Sequence, residues 1–311
     1  MVTLLVVGLV SAGGVRAMSL AAPAQADPGR ADTSHAARQD AVESIPAAKL
    51  APAAREKVAW ILANTSVFRR LPIRVISCDA DLYQFLVQHP DVVVNIWEVF
   101  GISHLSMRQT GADTFQVSDD AGTTGTLQYL YRSRDTQVIY VDGLYTGKLF
   151  GHQVRGRGIM VLKSGYVRDT QGRCFVSSRL DAFMNVEPGG AEFLTKTFQP
   201  LVGKVADLNF VQTADFVGSL SRTAEVNRRG MQRLVARLEK VQPDVRQQFA
   251  QVTETVAQRA VQSTRLGGLE GQRSAGVEDA GNQPLVAQRP KASAPSPATP
   301  PSPSPPPSPA F

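Results

Sequence analysis

Apolar residues along the 311-residue chain fall into two regimes, short runs with alternating polarity in the middle and three-and-four spacing towards the end. From Gly190 to Ala224 the apolar positions Phe193, Leu194, Phe198, Leu201, Val202, Val205, Leu208, Val211, Ala214, Val217 and Leu220 share one stripe, which predicts a single amphipathic helix. At 1.5 Å per residue such a helix runs ~50 Å and needs an equally long apolar surface to cover it. Pro200 lies inside it and predicts a kink.

The middle of the chain supplies that surface. Ile73 to Cys78 (IRVISC) reads as a first strand, and Asp79 and Asp81 as N-caps of a helix bearing Leu82, Phe85 and Leu86. His89-Pro90 stops that helix and starts a second, DVVVNIWEVF, ended by Gly101. Strands follow at Ser103 to Gln109, Thr114 to Val117, Gly125 to Arg132, Gln137 to Tyr145, Lys148 to Val154, Gly158 to Asp169 and Cys174 to Val186. Turn clusters such as Asp119-Asp120-Ala121-Gly122 and Asp169-Thr170-Gln171-Gly172 separate them, so they form an antiparallel meander. Alternation groups Leu127, Tyr129 and Tyr131 on one face of their strand, with Val138, Tyr140 and Leu144 as the set on the next.

The flanks divide the rest. Residues 1–26 carry an apolar run, Thr3 to Val10, too short for a bilayer core of about 30 Å, and a small-x-small site at Ala24-Gln25-Ala26; they read as an export signal. Residues 27–50 read as a flexible spacer, and Ala51 to Asn64 as a helix on the outside of a domain spanning 51–227. Periodicity resumes over 228–262 with Met231, Leu234, Leu238, Val241, Val245, Val252 and Val256, an extension that can fold back, meet a partner or coil. Residues 263–311, ending in PKASAPSPATPPSPSPPPSPAF, read as a disordered or polyproline II tail.

The order of strand, DLYQFL…VVVNIWEVFG helix pair, meander and final strand flowing into FLTKTFQPLVGKVADLNF resembles the START-like, polyketide-cyclase-like helix-grip family over about residues 71–222. The resemblance implies an α+β fold in which an antiparallel sheet wraps a long helix, and a pocket for a lipid or other hydrophobic small molecule. Trp97, Phe100, Tyr129, Tyr140, Met160, Phe183 and Phe198 are the candidate lining residues, with Arg108 or Arg179 as polar contacts. It also makes the first and last strands neighbours, so Cys78 and Cys174 can form a disulfide once exported.

Charge and motif narrow the alternatives. A net charge of +6 spread along the chain is no nucleic-acid arm, though it favours contact with an anionic envelope surface. The four histidines do not fall at metal spacing, and no cofactor motif is complete. Gly143 to Lys148 lacks the spacing and following helix of a phosphate loop, and Gly156-Arg157-Gly158 reads as a turn or bulge before a strand. No G-x-S-x-G elbow is present, and Asp119-Asp120 lies in a turn. The reading is a non-catalytic exported binding protein. The alternatives are an envelope interaction protein working through its extension and tail, and a cyclase- or hydrolase-like enzyme using the same pocket.

Overall fold

The computed structural model describes residues 31–147, 153–187 and 199–277, with side chains in the last stretch described for 203–263. Those up to Arg265 form one compact unit; the second unit begins at Leu266. Helices α1 (His35–Glu43) and α2 (Pro52–Ala63) come first, then strands β1 (Val67–Arg70) and β2 (Arg74–Ser77). Helices α3 (Ala80–Gln88) and α4 (Pro90–Val99) precede β3 (Ser106–Gly111), β4 (Thr114–Ser118), β5 (Thr123–Arg132), β6 (Thr136–Tyr145), β7 (Val154–Arg168) and β8 (Cys174–Val186). Helices α5 (Gln199–Val226), α6 (Arg228–Arg237) and α7 (Pro243–Val277) complete the chain.

All strands join one eight-stranded antiparallel sheet in the order β1-β8-β7-β6-β5-β4-β3, with β2 also on β8. A long helix follows the last strand, so the protein has the α+β helix-grip order expected from its sequence. Asp79 caps α3 by accepting from the N–H groups of Asp81 and Leu82, and Pro90 opens α4 where its missing N–H costs nothing.

Both faces of the sheet are covered. The inner face, carrying Phe115, Leu127, Tyr129, Ile139, Val141, Met160, Leu162 and Leu180, packs with α3, α4 and α5. The outer face carries Phe68, Val138, Ile159, Val161 and Phe183 under Ala37, Ala41, Ile45, Leu50, Ala54, Val58 and Ile61. The spacer expected over 27–50 is therefore corrected. Ser34 caps α1, whose Ala37 and Ala41 are small enough to bring its backbone close to the sheet. A charge network fixes it there: Asp181, fully buried, accepts from Arg70 Nε at 2.6 Å and pairs with Arg179 at 3.2 Å, and Asp40 of α1 pairs with both arginines.

Three further observations concern the C-terminal helices. The described part of α5 begins at Gln199; residues 188–198, on which the expected start of the helix falls, lie outside those described, and with them the kink expected at Pro200. The buried face of α5 is Ala206, Phe210, Ala214, Val217, Leu220 and Ala224; Ala214, Val217 and Leu220 are as expected, while the first part of the helix is rotated from the expected stripe, so that Leu208 is exposed. Asp207 and Asp215 explain the rotation. They hold α5 to the sheet edge, where Arg69 Nε donates to Asp207 at 2.8 Å and Arg74 to Asp215 at 2.6 Å. Finally, α6 and α7 fold back, burying Met231, Leu234, Leu238, Val241, Val245, Phe249 and Val256 in the inner core. Phe249 stacks on Phe85 at 5.6 Å, and Arg259 pairs with Asp79 and Asp81. Helix α7 continues to Val277, past the expected boundary at 262; the proline-rich end lies outside the described residues.

Candidate functional site

The sheet scatters the residues expected to line a pocket. Trp97, Tyr129 and Met160 do face the helix layer, but as close-packed core. Trp97 meets Phe216 of α5 edge-on at 5.7 Å, while Tyr129 donates from its hydroxyl to Val87 O and carries the Arg132 guanidinium 3.9 Å above its ring. Phe115, Val141, Leu162 and Phe210 have no exposed surface, so that part of the interior is filled by the protein itself. Phe100 and Arg108 are exposed. Tyr140, Arg179 and Phe183 lie on the outer face: Phe183 packs on Phe68, Lys57 sits over Tyr140, and Arg179 is in the α1 network. A bulge at Leu130 also turns Tyr131 to that face. Phe198 lies outside the described residues.

Elsewhere on the inner face side chains give way to glycine. One rung of the sheet runs Val117 (β4), Gly125 (β5), Gly143 (β6), Gly156 (β7) and Val186 (β8), each paired in register with the next. Three adjacent strands thus present bare backbone between two valines. The next rung towards the core is Leu127, Val141, Gly158 and Met184, where Met184 lies over Gly158 and closes the gap. On the other side the rung is Thr123, Tyr145 and Val154. The surrounding Val117, Leu127, Val141, Tyr145 and Met184 are buried, whereas the three glycines are only half-buried.

The glycines differ in why they are there. A Cβ on Gly125 would come within 3.0 Å of Asp142 O, so the close approach of strands β5 and β6 requires glycine. A Cβ on Gly156 would meet nothing nearer than Asn185 O at 3.9 Å, and its absence simply leaves room. Thr123 contributes the polar element, a buried Oγ1 with no hydrogen-bond partner among the described residues.

A second cluster sits under the α3–α4 joint. His89 Nδ1, both Asp91 carboxylate oxygens, Arg132 Nε and Nη2, and Gln137 Oε1 are buried without hydrogen-bond partners among the described residues, although Asp113 lies 3.1 Å from Arg132 Nε. Burial pushes the Asp91 carboxyl up to about 6, against the pull of its own and Val92's backbone N–H groups and of Arg132. Burial, aided by Arg132, pushes His89 down to about 4. Along β6 the step from Gln137 to Gly143 is about 20 Å, so Gln137 does not reach the glycine rung.

Cys78 and Cys174, the pair expected to form a disulfide, lie at opposed positions as free thiols, with Cys78 N–H donating to Cys174 O at 3.2 Å. Burial raises the Cys78 thiol to about 12. A half-open groove of about 470 Å³ between α6 and α7 is lined by Gln232, Gln247 and Gln251, with Arg228 paired to Glu254. Among the described residues no acidic or histidine cluster could hold a metal ion, and no helix is long and apolar enough to cross a membrane.

No protein-family model matches the chain, and no curated protein matches its sequence. Solved structures align at low identity. A conserved protein from Geobacillus kaustophilus aligns with a TM-score of 0.37 and 11% identity over 49% of this chain and 93% of that one. A truncated norcoclaurine synthase from Thalictrum flavum aligns with a TM-score of 0.27 and 13% identity over 47% and 95%. These are what the chain is similar to; its own sheet order and following helix define the fold.

Proposed function

We propose that the protein is an exported, non-catalytic binding protein that holds a hydrophobic small molecule against the glycine rung of its sheet. The observation that carries this is the vacancy at Gly156, on a half-open rung of three glycines among otherwise buried apolar residues. Burial of apolar ligand surface supplies affinity at roughly 25 cal/mol per Å². The apolar run at Thr3 to Val10 and the Ala24-Gln25-Ala26 site support export, to the periplasm or outside the cell.

The competing readings lose support from the same structure. The apolar stripe of the C-terminal extension is spent on the core and leaves little to recruit an envelope partner. The shifted acid and base, Asp91 and His89, sit at the α3–α4 joint and not among the residues that surround the rung. The test is Gly156→Leu, which fills the vacancy from a strand position that tolerates a side chain. Protein purified without detergent is expected to carry a co-purifying apolar molecule in native mass spectrometry, and the variant to carry none. Equal occupancy in a folded variant would overturn the assignment.

A further inference from the structure

We propose that Arg70, Arg179 and Lys163 form a site for a dianionic phosphate group, and that Asp40 of α1 is the chain's own anion, which such a group displaces. The site is on the outer face of the sheet and is independent of the glycine rung on the inner face.

The placing of charge is the first argument. Lys163 and Arg179 are directly opposed across β7 and β8, with side chains on the same face. Like charges at opposed sheet positions repel, so this pair needs an anion close by. Arg70 of β1 reaches the same place, because its strand partner is Asp181, two residues from Arg179 on β8. Two carboxylates answer these three cations. Asp181, fully buried, accepts from Arg70 Nε at 2.6 Å and Nη2 at 3.2 Å, and lies 3.2 Å from Arg179 Nε. Asp40 meets both guanidiniums through one oxygen, Oδ2, at 2.6 Å from Arg70 Nη2 and 3.2 Å from Arg179 Nη1. Lys163 acts on Asp40 at longer range and donates to Thr136 Oγ1 at 3.0 Å; Asp135, also near Lys163, is taken by the Ser133 hydroxyl. Three cations held by two carboxylates leave one positive charge in excess, and a dianion in the place of Asp40 cancels it.

The second argument is how easily Asp40 gives way. Its side chain is 57% exposed, so its ion pairs are of the weak, solvent-screened kind that a change of rotamer undoes. Arg179 Nε is buried with no hydrogen-bond partner among the described residues, since Asp181 Oδ2 is near it but poorly aligned. A phosphate offers three oxygens to two planar guanidinium forks, where Asp40 offers one. Helix α1 keeps its buried Ala37 and Ala41 when Asp40 swings out, but it loses a tie to the sheet. Phosphate binding and the hold on α1 are thereby coupled.

The probe is inorganic phosphate at pH 7.5, titrated into the full chain and followed by NMR, with sodium chloride at matched ionic strength as control. Saturable shifts are expected at the amides of Asp40, Arg70, Lys163 and Arg179, together with faster hydrogen exchange in α1. Asp40→Asn, a change at an exposed side chain, is expected to tighten phosphate about tenfold, and Lys163→Gln to weaken it about tenfold. A second arm measures sedimentation with vesicles containing phosphatidic acid against phosphatidylcholine alone. Phosphate binding without sedimentation identifies a soluble phosphate as the ligand; Lys163-dependent sedimentation identifies a membrane headgroup; either supports the site. Shifts no larger than those of sodium chloride, with no Lys163-dependent sedimentation, refute it. Unchanged phosphate affinity in Asp40→Asn overturns the displacement of Asp40. The shifts are read on the unaltered protein, so the test does not depend on a variant folding.

Discussion

Replacing Asp91 by Asn should stabilise the protein at neutral pH and leave it unchanged in acid. Asp91 is 1% exposed, and no side chain hydrogen-bonds to either of its oxygens. Its carboxyl is raised from 3.8 to about 6 by burial first, so the folded state holds its proton more tightly than the unfolded chain does. The sign follows from linkage: stability contributed by the protonated form is present below 3.8 and is lost as pH rises through 6. At about 1.4 kcal/mol per pH unit the loss reaches about 3 kcal/mol by pH 7. Asn mimics the neutral acid and removes that loss. With a urea m-value of about 3 kcal/mol per M, the midpoint at pH 7 should rise by ~1 M, and the gain should vanish near pH 3.5. Trp97, buried against Phe216, reports unfolding by fluorescence. Equal midpoints at pH 7, or a gain that persists in acid, would show that ionisation of Asp91 is not the cause.

His89 carries the opposite dependence: its folded value of about 4 lies below the unfolded 6.5, so its contribution is lost as pH falls from 6.5 to 4, and His89→Phe should flatten that limb of the urea midpoint profile. Phe183→Ala should cost about 3–5 kcal/mol of stability, read by urea unfolding, through the cavity it leaves beneath α1 and α2. Asp207→Asn should cost about 1–2 kcal/mol in thermal unfolding by weakening the Arg69 contact that holds α5 to the sheet edge, and Arg74 with Asp215 should keep the helix docked. Mild oxidation should bridge Cys78 and Cys174, which occupy opposed strand positions, and raise stability by about 4 kcal/mol; a thiol titration still finding both groups free would exclude the bridge.

Element order was legible because it follows from local signals: the Asp79 cap, the His89-Pro90 break and the turn clusters each act over a few residues. The direction of each face was not. Strand alternation says that Tyr140 and Phe183 lie opposite their sequence neighbours, but both faces of this sheet are apolar, so polarity cannot show which one meets α5. The α1 cover was illegible for a related reason. HAARQDAVE holds the sheet with two alanines and a buried charge network, and neither registers as hydrophobic periodicity. Rotation of α5 was hidden because Asp207 and Asp215 find partners 138 and 141 residues away.

The glycine rung shows the same limit from the other side. In the sequence Gly143 stands out only as the start of an incomplete phosphate loop inside a strand, and Gly156 as part of a turn or bulge, which is what a glycine between polar residues usually marks. Strand register changes their meaning. In β6 and β7 they face one another, Gly125 joins them from β5, and a residue that weakens one strand becomes, three strands wide, a shaped surface. A Cβ at Gly156 would meet nothing nearer than 3.9 Å, and a strand interior disfavours glycine. Stability alone therefore gives no reason for glycine at this position. The proposed binding role supplies one, and that makes the effect of Gly156→Leu on stability as informative as its effect on binding: a variant that is more stable and empty is what a site kept open at the expense of packing should give.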